Sequence, residues 1–289
     1  MERAYWYGVL LKPKVLLAML ALYVSCFLSS FWSLGGWPLD VVGFLEGLVA
    51  VALAVSGANA LNCYIDRDID ALMVRTLGRP LVLGTIEPSG ALWFGGVMLV
   101  AASVLSLSLG LFPFVLFLEG CVTYLVLYTG LLKRRSRLNV FATAPSVAAP
   151  AWFGWYMGGA PFYPLGLLVG CLVAVWGPLH LWSLSYAYSR DYSDVGVPMF
   201  PVTVSPGRGV LSIVVAAGLL VAASYALVPW TNTPVYTVGV SALNGLLVFV
   251  ALRFCRSMSR RDGWLLFKVT APYIVVVLLL FMVDLMLFG

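Results

Sequence analysis

The chain has 289 residues, 62% of them hydrophobic and only 10% charged. A soluble domain carries roughly 25% charged residues, so this composition excludes a soluble enzyme, a nucleic-acid-binding module, a disordered chain and a peripheral anchor. What remains is a polytopic membrane protein, and its net charge of +5 is read as membrane orientation rather than nucleic-acid affinity.

A hydrocarbon core about 30 Å thick takes about 20 apolar helical residues. The sequence predicts nine such runs: 15–34, 41–61, 91–111, 113–132, 139–158, 163–187, 210–228, 235–255 and 265–287. The runs are continuous and do not alternate as barrel strands would. The expected fold is therefore all-α: nine transmembrane helices in a single bundle over 1–289, with a central cavity opening toward the cytoplasmic side.

All 17 Lys and Arg residues fall on one side of this arrangement. Arg3, Lys12 and Lys14 precede the first run, and Arg67, Arg75 and Arg79 lie between the second and third. Lys133, Arg134, Arg135 and Arg137 lie between the fourth and fifth, and Arg190 and Arg208 between the sixth and seventh. Arg253, Arg256, Arg260, Arg261 and Lys268 surround the last turn. The positive-inside rule then predicts a plasma-membrane protein with its N-terminus in the cytoplasm and its C-terminus outside. The opposite connections are short and nearly uncharged: Gly35-Gly36-Trp37-Pro38, Gly158-Gly159-Ala160-Pro161 and Pro229-Trp230-Thr231-Asn232.

Two cytoplasmic segments, 62–90 and 188–209, are much longer, and loops of that length are usually functional. They follow the second and sixth runs, which suggests two related four-helix halves plus a ninth helix. The first segment holds Asn62, Asp66 and Asp70, four residues apart and so on one face of a continuing helix, with Asp68 turned away. Carboxylates at this spacing repel one another. A hard divalent cation relieves that, and Mg²⁺ favours one or two carboxylates plus substrate phosphate oxygens. The second segment holds Asp191 and Asp194, three apart. Together the clusters can hold two Mg²⁺ around one diphosphate, with Arg67, Arg75, Arg79, Arg190 and the Lys12/Lys14 pair as fixed positive charge. The bland alternative is a solvated acidic helix end.

The five cysteines are scattered and read as packing residues. The run from Lys133 to Arg135 reads chiefly as a topology and phospholipid contact, with diphosphate or propionate binding as its alternative. Glu119 reads as hydrogen-bonded helix glue. The lone histidine, His180, is either a ligand or a polar contact between helices.

Asn62-x3-Asp66-x3-Asp70 resembles the first aspartate-rich motif of the UbiA-type intramembrane prenyltransferases. The longer run from Asn62 to Leu81, His180-Leu-Trp-Ser-Leu, Arg190-Asp191-Tyr192 and Gly196-Val-Pro198-Met199-Phe-Pro201 are similar to the protoheme IX farnesyltransferase (haem O synthase) group within them. Lys12-Pro13-Lys14, Tyr128-Thr129, Leu132-Lys133-Arg134 and Asn139 match further segments of that group. The chain departs from it at Thr143-Ala144, where a Gly-Gly pair is usual, and the second motif is not a full Asp-x3-Asp.

The resemblance implies a Mg²⁺-dependent enzyme that transfers farnesyl from farnesyl diphosphate to a vinyl group of haem b. Asp66, Asp70 and Asp191 would be catalytic and, with Asp194, metal ligands. Asn62, Arg67, Arg75, Arg79, Lys14 and Arg190 would bind diphosphate, and His180 would bind haem. Membrane lipids and a downstream haem-modifying membrane enzyme are the other expected partners, and nucleic acid is not one. On a continuous helix His180 and Asp191 share a face about 16 Å apart. A quinone-precursor or lipid-glycerol acceptor, or a membrane transporter, are the competing readings.

Overall fold

The computed structural model describes residues 2–36 and 38–288. The chain forms α1 (Glu2–Leu10), α2 (Pro13–Trp32), α3 (Val41–Ile65), α4 (Arg67–Asp70), α5 (Pro88–Ser108), α6 (Leu111–Cys121), α7 (Ala144–Met157), α8 (Leu167–Ala187), α9 (Ser189–Asp194), α10 (Phe200–Thr203), α11 (Pro206–Tyr225), α12 (Pro234–Ser257) and α13 (Arg260–Phe288). Among the described residues there is no β-strand. Helices α2, α5, α11 and α12 begin on a proline, whose missing N–H and fixed φ suit the first helical turn. Asp40 caps α3 by accepting from the Gly43 N–H at 2.9 Å.

Eight of these segments are long and apolar enough to cross a membrane: Pro13–Trp32, Val41–Ile65, Pro88–Ser108, Leu111–Leu132, Phe162–Ala187, Pro206–Trp230, Pro234–Ser257 and Arg260–Leu287. The fourth is α6 continued by an eleven-residue π-helix, Val122–Leu132. The expected fifth run, 139–158, differs: it is a 3₁₀ turn, Asn139–Thr143, leading into the 14-residue α7. Its polar side chains turn back on local carbonyls instead of extending the helix. Asn139 donates to the Lys133 carbonyl at 3.1 Å and Thr143 to that of Val140 at 2.7 Å. Among the described residues eight full spans and one short helix therefore stand where nine spans were expected.

Helix contacts divide the bundle unevenly. Helices α2, α3, α5, α6 and α7 close one ring, and α8, α11, α12 and α13 close a second. The rings join where α2 meets α13 and α7 meets α8. The boundary thus falls after α7, not after the fourth span as the loop spacing suggested. Small residues set the closest crossings. A Cβ on Gly154 would lie 2.3 Å from the Tyr23 carbonyl oxygen, and one on Gly158 2.4 Å from that of Phe27, so α2 and α7 meet backbone to backbone.

The short connections lie at one end of the bundle. There Ser30 Oγ accepts from the Ala160 N–H at 2.9 Å, tying the turn after α7 to α2. Asp284, fully buried on α13, accepts from the Asn232 and Thr233 N–H groups, the Thr233 hydroxyl and the Tyr236 N–H at 2.5–3.2 Å. Trp37, in the first of these connections, lies outside the described residues. A recess of about 480 Å³ opens at this end, with Trp32, Trp155 and Trp230 in its wall. The two long loops meet at the other end.

Candidate active site

At the junction of α3 and α4 the helical hydrogen-bond spacing is not lost. The Asp66 N–H donates to the Asn62 carbonyl and the Asp70 N–H to that of Asp66, each at 2.9 Å. Residues 62, 66 and 70 are thus stacked on one face, as their spacing predicts. Relative exposures are 4% for Asn62, 0% for Asp66 and 2% for Asp70, whereas the Asp68 side chain is 61% exposed.

Burying such a row requires counter-charge, and three basic side chains supply it. Lys133 Nζ donates to Asp66 Oδ2 at 2.5 Å. Arg79 Nη1 pairs with Asp70 Oδ2. Lys12 Nζ donates to Asn62 Oδ1 at 2.7 Å, while Asn62 Nδ2 donates to Asp66 Oδ2 at 2.7 Å and to Thr129 Oγ1 at 3.2 Å. Arg134 forks onto both carboxylate oxygens of Asp68 at 2.6 Å and lies 4.0 Å from Asp66 Oδ1. The hydrogen bond from Arg134 holds the Asp68 carboxyl down at about 2. Burial pushes the Asp70 carboxyl up, with Arg79 opposing it. Burial also brings the Lys12 ammonium down to about 8.

The second loop packs against the first. Ile69 and Met73 share one buried cluster with Tyr192, Val197 and Met199. The Arg75 N–H donates to Asp191 Oδ2 at 3.1 Å, so the two acidic segments lie at the same end of the bundle. Asp191 is half-buried and Asp194 exposed.

Several candidate side chains stay outside this centre. Arg67 is exposed and turns back on Tyr64, donating to its carbonyl at 2.6 Å and covering its ring at 4.5 Å. Arg75 contributes its backbone while its side chain is exposed. Arg190 is exposed. Lys14 is exposed in the first turn of α2, and Lys12 reaches the row in its place. Lys12 holds a left-handed backbone, φ 52°, at the corner between α1 and α2. Asn59 steadies that corner by donating to the Leu11 carbonyl at 3.1 Å.

The sequence favours a topology and lipid role for Lys133 over a diphosphate or propionate contact, yet this side chain contacts the most buried aspartate of the row. The cause is the π-helix before it. Nine α-helical steps of 100° would set Lys133 on the opposite side from Tyr124. The wider i→i+5 winding fits about two turns into the same nine residues, so one face carries Tyr124, Thr129 and Lys133. Thr129 Oγ1 donates to the Tyr124 carbonyl at 2.8 Å and the Lys133 N–H to that of Tyr128 at 2.8 Å, both in this register.

His180 lies within α8 beside α13. Its Nδ1 is 2.9 Å from Thr270 Oγ1, and its ring stacks on Trp176 and Phe267. Helix α8 stops at Ala187, and Tyr188 (φ −102°, ψ 32°) interrupts it before α9, so His180 and Asp191 do not share the continuous helix assumed for them. Both carboxylate oxygens of Glu119 are buried without a hydrogen-bond partner among the described residues, which removes the reading of Glu119 as hydrogen-bonded glue.

Among the described residues no three acidic, histidine or cysteine side chains converge into a ready-made metal group. One atom nevertheless fits a cation: Asp66 Oδ1 is buried with no hydrogen-bond partner. A carboxylate row with one free anionic oxygen suits Mg²⁺, which takes few protein ligands and completes its shell with phosphate and water.

The profile of the UbiA prenyltransferase family matches residues 18–282. A protoheme IX farnesyltransferase of Desulforudis audaxviator is 36% identical over 245 residues, 83% of this chain and 77% of that protein. Protoheme IX farnesyltransferase 1 of Cenarchaeum symbiosum is 34% identical over 92% of this chain and 90% of its own length. Among solved structures, a digeranylgeranylglyceryl phosphate synthase superposes with a TM-score of 0.77 at 17% identity, covering 99% of both chains. A UbiA homologue from Archaeoglobus fulgidus bound to GPP and Mg²⁺ gives 0.68 at 16% identity, over 94% of this chain and 99% of that one. These likenesses at low identity speak for the fold, and the profile and the closer relatives speak for descent: the chain belongs to the UbiA prenyltransferase family.

Proposed function

We propose that this protein transfers the farnesyl group of farnesyl diphosphate to a vinyl group of haem b, releasing diphosphate and giving haem O. The observation that carries the reading is the buried Asn62–Asp66–Asp70 row ringed by Lys12, Arg79 and Lys133, in a chain whose curated relatives are protoheme IX farnesyltransferases. The acidic residues sit at one end of the bundle, where a diphosphate enters from water, rather than midway along broken helices as in transporters.

Asp66 and Asp70 would hold Mg²⁺ from the first loop and Asp191 from the second, with Asp194 beside it. Bound there, Mg²⁺ neutralises charge on the departing diphosphate. Lys133, Arg79 and Lys12 already meet the row and need shift only from carboxylate or amide oxygen to phosphate oxygen to share that task. Asn62 holds the Asp66 carboxylate in place. As the bond between C1 and the diphosphate oxygen breaks, C1 becomes cation-like and the vinyl terminus attacks it. Water then adds to the carbocation left beside the porphyrin ring and loses a proton, so the product carries a hydroxyl group. His180, deeper along α8 than Asp191, would hold the haem. The 17 basic residues support a plasma-membrane protein with its N-terminus in the cytoplasm and its C-terminus outside.

The test is a mass spectrum of haems extracted from cells that express the chain and lack their own haem farnesylation. The expected new species is haem O, absent with Asp66→Asn. Farnesylation of a quinone precursor or a glycerol lipid instead, with no haem product, would overturn the reading.

A further inference from the structure

We propose that Thr270 on α13 is a positioning residue for the haem acceptor, fixing His180 so that Nδ1 carries the ring proton and Nε2 is left as the ligand atom. This rests on the reading of His180 as the residue that holds haem.

The imidazole is constrained on three sides. Trp176, one turn earlier on α8, stacks on it with centroids 4.7 Å apart and planes at 23°. Phe267 of α13 lies 4.4 Å away at 30°. Two nearly parallel rings that close cannot share one face, so the imidazole is sandwiched between them. Its Nδ1 edge meets Thr270 Oγ1 at 2.9 Å. Thr270 also fixes one wall of the sandwich, because its carbonyl accepts from the Trp176 indole N–H at 2.7 Å.

The hydroxyl points to one tautomer. A threonine has one O–H hydrogen, and the Phe267 carbonyl, which can only accept, lies 2.9 Å from Thr270 Oγ1. With the hydrogen directed there the oxygen accepts toward His180, which places the ring proton on Nδ1 and a lone pair on Nε2. Among the described residues nothing bonds to Nε2, and on this half-buried residue it is not one of the sealed, unpartnered polar atoms. A histidine serving only to join two helices would have both nitrogens engaged or enclosed. One whose N–H is anchored, whose faces are covered and whose other nitrogen is open has the second-sphere arrangement of a metal ligand. The iron of haem b is the metal that the proposed reaction brings into the membrane. Thr270 is 90 residues from His180 in sequence, and only the fold brings the two together.

The test uses the purified full chain and its Thr270→Val, Thr270→Ala, Thr270→Ser and His180→Ala variants. Haem b affinity is measured by absorbance titration and the iron–imidazole stretch of the ferrous complex by resonance Raman. Mg²⁺-dependent farnesyl diphosphate binding reports that each variant is folded. Thr270→Val and Thr270→Ala are expected to weaken haem binding by about tenfold and to lower the stretching frequency, since the ligand loses its hydrogen-bond acceptor. Thr270→Ser is expected to keep both, and diphosphate binding is expected to survive throughout. If His180→Ala loses haem but Thr270→Val changes neither affinity nor frequency, the role of Thr270 is overturned and the ligand reading stands. If His180→Ala leaves haem affinity unchanged, both fall.

Discussion

The two acidic clusters contain the same chemical group in opposite surroundings. In the first, Asp66 and Asp70 are buried, and each is paired with a basic side chain of the chain itself. In the second, Asp191 is half-buried and held by a backbone N–H of the first loop, while Asp194 is exposed. The first row ends a long helix packed beneath the π-helix, so its charge had to be balanced from within. The second sits on a six-residue helix at the surface, where water does the balancing. One cluster is therefore part of the folded core as well as a metal-binding candidate, and the other is free to respond to whatever arrives.

Substitutions separate these roles. Asp66→Asn carries the largest expected effect, because it removes a proposed metal ligand and leaves Lys133 without its partner. Farnesyl transfer should fall at least about a hundredfold, and stability by about 3 kcal/mol, read as a lowered unfolding midpoint in detergent. Asp191→Asn should match that loss of activity within a factor of about ten while moving stability by less than about 0.5 kcal/mol. Equal destabilisation by the two would end the distinction between a buried centre and a responsive rim.

A smaller effect follows from Lys12. Its ammonium titrates near 8 because it is buried. It is charged below that pH and neutral above, so affinity for farnesyl diphosphate should fall as pH rises through about 8. In Lys12→Arg the fall should vanish, because guanidinium stays charged. A flat binding profile in the parent protein would remove Lys12 from the diphosphate contacts. Asp68→Asn should do least. Its fork with Arg134 is exposed, and such pairs contribute less than about 1 kcal/mol. Activity within about threefold of the parent is the expected result, and a loss as deep as that of Asp66→Asn would show that burial does not rank these carboxylates.

Much of this was legible in the chain. The apolar runs marked the membrane segments, and the four-residue spacing set Asn62, Asp66 and Asp70 on one face with Asp68 outside. The basic count brought both long loops to one end, where Arg75 meets Asp191. Lys133 was legible only as an alternative diphosphate or propionate contact, because periodicity arguments assume 100° per residue and the segment before it winds as a π-helix. Of the Lys12/Lys14 pair only Lys12 meets the row, for a local reason: α2 starts at Pro13, so Lys14 rides on its exposed first turn while Lys12 occupies the corner. The uneven division of the helices into five and four depends on which faces pack together, and a chain hydrophobic on nearly every side carries little record of that.

The contacts of α13 have a consequence in time. This helix touches α2, α8 and α12, closing the second ring and joining it to the first. It follows the other described helices in the chain, and domains assemble as their segments emerge. The aspartate row, completed by Lys133, is translated before α7. The wall against His180, made of Phe267 and Thr270, arrives after the other described helices. A nascent chain stalled before α13 would carry the aspartate row without the partner of its lone imidazole; on the proposal that His180 holds haem, α13 would set the moment at which a newly made molecule becomes competent to receive one.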